Sequence, residues 1–237
     1  MSARSKGQVL KSPGITPRPA LRSVKKQGLD EFRRLFGHAP DSMANHYNGE
    51  ALYWRLARLG GARRLLYLVL TRFSSVNPFF GHVAGHPWFW GDLCREHIRY
   101  CRNFIFSDLN TLRTCPWIPY YDQSRHWVNR WFAGSEGAKG PSFRKLLAEV
   151  NQDRLEEEGG ASIVYTRFGH GFVDDRKLNS WFIRHMERLS RKNDWFVPVL
   201  TLLDYLVEQR ELFILDDRRR RLLEWQWLGE KVLRWTS

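Results

Sequence analysis

Helix-like and strand-like segments alternate along the carboxyl-terminal half of the chain, and this order limits the folds that it can adopt. Apolar residues recur at helical spacing over residues 143–150, and residues 161–165 have the composition of a buried strand. The pattern repeats with a helix over 179–189, a short strand over 195–197 and a helix from Thr201. Because parallel strands need a crossover helix between them, we expect a mixed α/β fold with a parallel sheet or a β/α barrel.

The first 132 residues are less regular. Apolar residues between 29 and 36 share one helical face before Gly37, a natural stop, and further helices are predicted over 50–59 and 62–70. Residues 73–132 are so rich in aromatic residues and proline that long loops held by buried rings are expected. Inside them we predict only a helix over 92–100, capped by Asp92, and a strand over 104–106.

The charge is concentrated at the chain ends. The formal net charge is +13, and the first 26 residues carry seven basic side chains and no acidic one. We therefore predict a flexible basic tail over residues 1–27, a β/α domain over 28–215 and a basic helix over 216–237. A solvated tail and a solvated helix face are the ordinary explanation of such charge runs, and binding to an anionic partner is the alternative.

Cysteine spacing and hydropathy indicate the compartment. The three cysteines have no CxxC spacing, which argues against a disulfide framework or a structural zinc site. No apolar run has the length of a signal peptide or a membrane span, so we predict a cytoplasmic protein without a membrane span.

Several segments resemble bacterial polysaccharide-deacetylase-like proteins of the NodB type. The closest similarity is in residues 159–172, GGASIVYTRFGHGF, and in residues 192–199, KNDWFVPV. Shorter similar segments lie upstream at residues 44–46, 89–94 and 119–122, so that the resemblance covers about three quarters of the chain.

The resemblance implies a distorted β/α barrel that removes acetyl groups from N-acetylated carbohydrate. In that group one aspartate and two histidines hold a divalent metal such as Zn²⁺, a second aspartate acts as base and a late histidine acts as acid. The metal polarises the amide carbonyl and its bound water, and the two side chains move the protons.

Part of this set has candidates here. His82 and His86 are four residues apart, as the two metal-binding histidines of the group are, although paired histidines in a glycine-containing loop are also common as turn residues. Asp92, Arg167 and His170 are the catalytic candidates. The candidates for ligand binding are His46, Tyr121 and Asp122.

Two parts of the set are missing. No Asp-Asp pair precedes His82, so we expect an incomplete barrel that lacks the first catalytic motif. Arg167 stands where the resemblance places the acidic histidine, and an arginine stays protonated and cannot donate that proton. His170 could substitute for it, or Arg167 could bind a carboxylate or phosphate.

Two functions remain open from the sequence. The first is a deacetylase-like protein with a carbohydrate ligand, whose metal-dependent activity is weak or lost. The second is a non-catalytic module that binds an anionic polymer, either polysaccharide or nucleic acid, with some of the eleven tryptophans stacking on sugars or bases. No nucleic-acid-binding motif supports the nucleic-acid alternative.

Overall fold

The computed structural model describes residues 21–45, 49–71 and 79–234, and it shows a mixed α/β fold. The helices of this part are α1 Leu21–Phe36, α2 Gly61–Leu70, α3 Gly91–His97, α4 Thr111–Thr114, α5 Gly140–Leu146, α6 Glu149–Glu157, α7 Ser180–Ser190, α8 Val199–Gln209 and α9 Asp217–Arg234, with 3-10 helices at Arg55–Arg58 and Gln123–Arg125. The strands are β1 Ser42–Met43, β2 Tyr100–Phe106, β3 Tyr120–Tyr121, β4 Arg130–Glu136, β5 Val164–Tyr165, β6 Val173–Asp174, β7 Lys177–Leu178 and β8 Phe213–Ile214.

Six of these strands form one sheet, and most of its pairings are parallel. The long strands β2 and β4 lie side by side at its centre, with Tyr100 opposite Arg130. Strand β1 runs parallel to β2, and β5 runs parallel to β4. Strand β3 is antiparallel to β4 and pairs on its other side with β8. The mixed α/β fold with a mostly parallel sheet is confirmed, and within the described residues β1 and β8 end the sheet without pairing to each other.

The main core lies on the two central strands. All seven residues of β2 are buried, and Trp131 of β4 is fully enclosed. Helix α9 packs on β2 and α2, and it places Trp227 against Phe104. A second cluster, around Phe143 and Phe172, joins α5 and α7 to the loop before β6. No helix among the described residues has both the length and the apolar composition needed to span a membrane.

The structure corrects three of the predicted elements. Helix α3 ends at His97 because Tyr100 already belongs to β2, and Asp92 lies in the first turn rather than at the N-cap. Residues 195–197, predicted as a strand, have no regular secondary structure, and Trp195 and Phe196 are more than half exposed. The helix predicted over 50–59 is reduced to the 3-10 turn at Arg55–Arg58.

Residues 21–27, which the sequence assigns to the basic tail, belong to α1. Arg22 pairs with Asp92 and Lys25 pairs with Glu50, so side chains of this basic segment find acidic partners on the domain. Residues 1–20 lie outside the described part of the chain. At the other end, α9 begins at Asp217, where the sequence predicts a basic helix.

The long strand β4 is one of the elements that the sequence did not predict. Its residues Gly134, Ser135 and Glu136 have the composition of a turn, yet they continue the central strand. A Cβ atom at Gly134 would lie 3.1 Å from the carbonyl oxygen of Ile163, so a glycine lets β5 approach closely here. The glycine therefore serves strand packing rather than chain reversal.

The second core cluster predicts that replacing Phe143 with alanine destabilises the protein more than replacing Phe36. Phe143 is 5% exposed at the centre of that cluster, whereas Phe36 at the end of α1 is 61% exposed. Phe143→Ala is expected to lower the free energy of unfolding by about 3–5 kcal/mol because it leaves a cavity. Phe36→Ala is the control and should cost well under half as much. Equal losses in urea denaturation would show that the cluster is not a core.

Candidate functional site

Five arginine side chains from four separate segments surround a cavity of about 310 Å³. We call this cavity the arginine pocket, and its arginines are Arg58, Arg63, Arg125, Arg220 and Arg221. Its wall also contains Tyr53, His82, Ser124, Asp217 and Glu224.

Helix α9 forms one wall of the pocket with four charged residues. Asp217, Arg220, Arg221 and Glu224 are three and four residues apart, so they share one helical face. The Gly60-Gly61 turn leads into α2 on the opposite side, and Gly61 has the positive φ of +54° that favours glycine. The backbone N–H of Gly60 donates to Glu224, which joins this turn to α9.

Buried ion pairs hold the pocket wall together. Arg125 donates to Asp122 at 2.7 Å and to Glu224 at 2.9 Å, and all three side chains are at most 5% exposed. Glu224 also accepts from Arg63 at 2.5 Å, and Asp122 accepts from Arg220 at 3.1 Å. Each buried carboxylate is therefore bonded to two guanidinium groups, which compensates its removal from water.

Arg58 differs from these arginines. Its side chain is 2% exposed, and its guanidinium carbon lies 4.7 Å from the ring centroid of Trp54 and 4.7 Å from that of Trp227. It donates to the backbone oxygen of Asn103 at 3.0 Å. In the described part of the chain no carboxylate pairs with Arg58 or with the exposed Arg221.

The pocket therefore carries an excess of positive charge. The lining contains five arginines and two carboxylates, Asp217 and Glu224, and a third carboxylate, Asp122, pairs with Arg125 and Arg220. Burial, followed by the neighbouring Arg125, lowers the pKa of Arg58 to about 9, which leaves it charged at neutral pH. The same two causes lower the pKa of His82 to about 4, so this histidine is neutral.

This arrangement suits an anion. Guanidinium groups bind carboxylate and phosphate oxygens through paired N–H donors, and such bonds are stronger away from bulk water. Tyr53, Ser124 and the neutral His82 are uncharged polar residues of the wall. The Ser124 hydroxyl donates to Asp122 at 2.7 Å, and burial raises the pKa of Tyr53 to about 12.

The structure brings two of the predicted site residues to this pocket. His82 lies in its wall with its ring 4.1 Å from that of Tyr53, and Asp122 lies behind the wall. His46 is outside the described residues. Tyr121 instead borders a separate shallow cavity lined by Arg95, Arg99 and Arg130.

The three predicted catalytic residues are not assembled into one site. Asp92 forms its ion pair with Arg22 in the first turn of α3. Arg167 and His170 share the exposed turn after β5, where Arg167 bonds the Tyr165 hydroxyl at 2.7 Å. Within the described residues, no hydrogen bond or ion pair joins Asp92 to either of them.

Each histidine of the predicted metal pair uses one ring nitrogen for a backbone hydrogen bond. The Nδ1 atom of His82 accepts the backbone N–H of Tyr53, and that of His86 accepts the N–H of Trp88. His86 is stacked on Phe80 with the ring centroids 3.7 Å apart. In the described part of the chain no three His, Cys, Asp or Glu side chains are placed to hold one ion. The zinc site remains a prediction from the resemblance.

Sequence reasoning missed most of the arginine pocket. The spacing of Asp217, Arg220, Arg221 and Glu224 places these charges on one face of α9, but the same spacing is typical of a solvated helix face and does not mark a pocket. Arg58 gives no signal either. Its burial depends on rings from β2 and α9 that are distant in sequence.

The buried ion pairs predict that removing the charge of Glu224 strongly destabilises the fold. Glu224→Gln keeps the size of the side chain but places an amide group among arginine donors, so the free energy of unfolding should fall by about 3–5 kcal/mol. Glu31, which pairs with Arg34 in solvent, provides the control. Glu31→Gln should leave stability nearly unchanged in the same urea titration, and similar losses for both variants would contradict the network.

The lowered pKa of His82 predicts a pH dependence. Between pH 6.5 and about pH 4 the unfolded chain binds a proton on His82 that the folded chain does not, so acidification through this window destabilises the fold. The loss should be about 1–3 kcal/mol. His82→Asn retains an acceptor for Tyr53 and should remove this part of the slope between pH 7 and pH 4. Parallel stability curves for the two proteins would contradict the assignment.

Comparison with models of protein families, with curated proteins and with solved structures gives no match to this chain. The similarity to polysaccharide-deacetylase-like proteins therefore remains a resemblance of individual segments, and the arginine pocket is defined by its geometry alone.

Proposed function

We propose that this chain is a polysaccharide-deacetylase-like protein that binds an anionic carbohydrate in the arginine pocket and whose removal of N-acetyl groups is weak or lost. The observation that carries the proposal is the charge of Arg58, which is buried in the pocket wall without a carboxylate partner among the described residues. A buried charge that lacks a counter-ion is costly, and a bound anion would supply one.

The size of the pocket limits the ligand. Ligand sites usually enclose about 300–1,000 Å³, and the arginine pocket, at about 310 Å³, is at the lower end. It would enclose one acidic sugar unit of a longer chain. The hydroxyl groups of Tyr53 and Ser124 offer partners for sugar hydroxyls, and the carbohydrate class itself comes from the resemblance.

The positions of the catalytic candidates support binding over hydrolysis. Removal of an acetyl group needs a base and an acid beside the same bond, and each contributes about 10²–10⁴ to the rate. Asp92 is held by Arg22, and Arg167 and His170 are in another segment. An incomplete NodB-like barrel remains part of this proposal.

Two arginines of one helix give a matched test. Arg221 lines the pocket, whereas Arg218 belongs to the same basic run of α9 outside it, and both are exposed. Calorimetric titration with a galacturonate oligomer should give an affinity about threefold to tenfold weaker for Arg221→Gln. Arg218→Gln removes the same charge and should retain the wild-type affinity.

Titrations with several ligands distinguish an acidic carbohydrate from a neutral carbohydrate or a nucleic acid. Neutral chitooligosaccharides should bind far more weakly than the galacturonate oligomer. Added salt should weaken the binding of the acidic oligomer because it screens the charges of the arginines. Equal losses for the two variants would mean that only overall charge attracts the ligand. Tighter binding of a single-stranded oligonucleotide of equal charge would favour nucleic acid instead.

A second candidate function is residual deacetylation. It is favoured by the place of Arg167, which follows the carboxyl end of the parallel strand β5, where the active sites of barrel enzymes are built. We expect acetate release from chitooligosaccharides by the zinc-treated protein to be near background. Arg167→His should not raise it unless a metal centre and a base are already present, and release at ordinary enzymatic rates by the wild type would overturn the binding proposal.

A further inference from the structure

A second, apolar cavity of about 480 Å³ lies away from the arginine pocket. It is bounded by residues 159–164 before and within β5, by α6 and α7, and by the extended residues 194–197. Its walls are mostly aliphatic and aromatic, and they include Phe143, Leu155, Val164, Met186, Leu189 and Phe196. The size and lining are those of a small-molecule site.

One polar side chain in this wall has an unmet hydrogen-bonding group. Gln152 is 2% exposed, and its Nε2 atom donates to the backbone oxygen of Leu147 at 2.7 Å. That bond fixes the orientation of the amide and leaves Oε1 as the buried acceptor without a partner. The Oγ atom of Ser162, also in the wall, has no partner either. Unmet buried acceptors are uncommon and favour a donor that can reach them.

The charged groups at the rim are largely paired with one another. Lys192 forms ion pairs with Glu156 and with Asp153, the latter at 3.2 Å, and Asp153 also accepts from Arg188. Because these pairs neutralise each other, the rim offers little attraction for a ligand of high charge. The chemistry of the cavity therefore differs from that of the arginine pocket.

We propose that this cavity binds an uncharged, mainly apolar small molecule that donates one N–H or O–H group to Gln152 Oε1. The apolar part of the ligand fills the space between Phe143, Met186 and Phe196. The proposal is independent of the function assigned to the arginine pocket.

N-Phenyl-1-naphthylamine is a suitable probe because it is uncharged, carries a single N–H group and fluoresces more strongly in apolar surroundings. Its N-methyl derivative has the same rings but no donor. We expect saturable fluorescence with the wild-type protein and an affinity for the N-methyl derivative about threefold to tenfold weaker. In Gln152→Met the acceptor is absent, and the two probes should bind alike.

Met186→Trp fills the cavity and should abolish the saturable signal, and Ile183→Trp, on the exposed face of the same helix and outside the cavity lining, is its control. Circular dichroism and thermal unfolding establish that each variant is folded. The pair of probes tests the wild-type protein even if a variant does not fold. Absence of saturable binding, equal affinities of the two probes for the wild type, or binding that Met186→Trp leaves unchanged would each overturn the proposal.

Discussion

The buried ion pairs around Arg125 connect the parts of the molecule that the sheet alone does not join. Through Asp122 and Glu224, this one guanidinium group links the turn after β3 to α9, and Glu224 extends the link to α2. Helix α9 is thereby fixed against β2, with Trp227 closing the main core. Breaking one of these buried pairs would leave an unpaired charge away from water, which is energetically costly. The pairs therefore fix one arrangement of the segments around the pocket.

The same network explains why Arg58 can be buried. Asp122 and Glu224 form ion pairs with other arginines. The guanidinium group of Arg58 instead contacts aromatic rings and donates a hydrogen bond to one backbone oxygen. Cation–π contacts offset part of the cost of burial and do not neutralise the charge. The resulting electropositive cavity is the basis of the proposed anionic ligand, and it lies apart from the turn that carries Arg167 and His170.

The mixed α/β class was predicted, and α7 and α8 occur where the apolar spacing places them. Of the two strands from which a parallel sheet was expected, only β5 forms, and its parallel partner β4 was not predicted. Strand β4 was missed because Gly134 and Ser135 resemble a turn, although tertiary contacts with β5 require a small residue there. The site was predictable only where a motif marked it. His82 was predicted as a metal ligand and Asp122 as a ligand-binding residue, and both lie at the arginine pocket, which depends on contacts between segments far apart in the chain that local patterns do not encode.

The most direct test of the central claim is a crystal structure of the protein grown with a short galacturonate oligomer. The account predicts electron density for a carboxylate within hydrogen-bonding distance of both Arg58 and Arg221, inside the arginine pocket. Ligand density at the shallow cavity beside Arg99 or at the turn of Arg167 and His170, with no ligand bound in the arginine pocket, would contradict it.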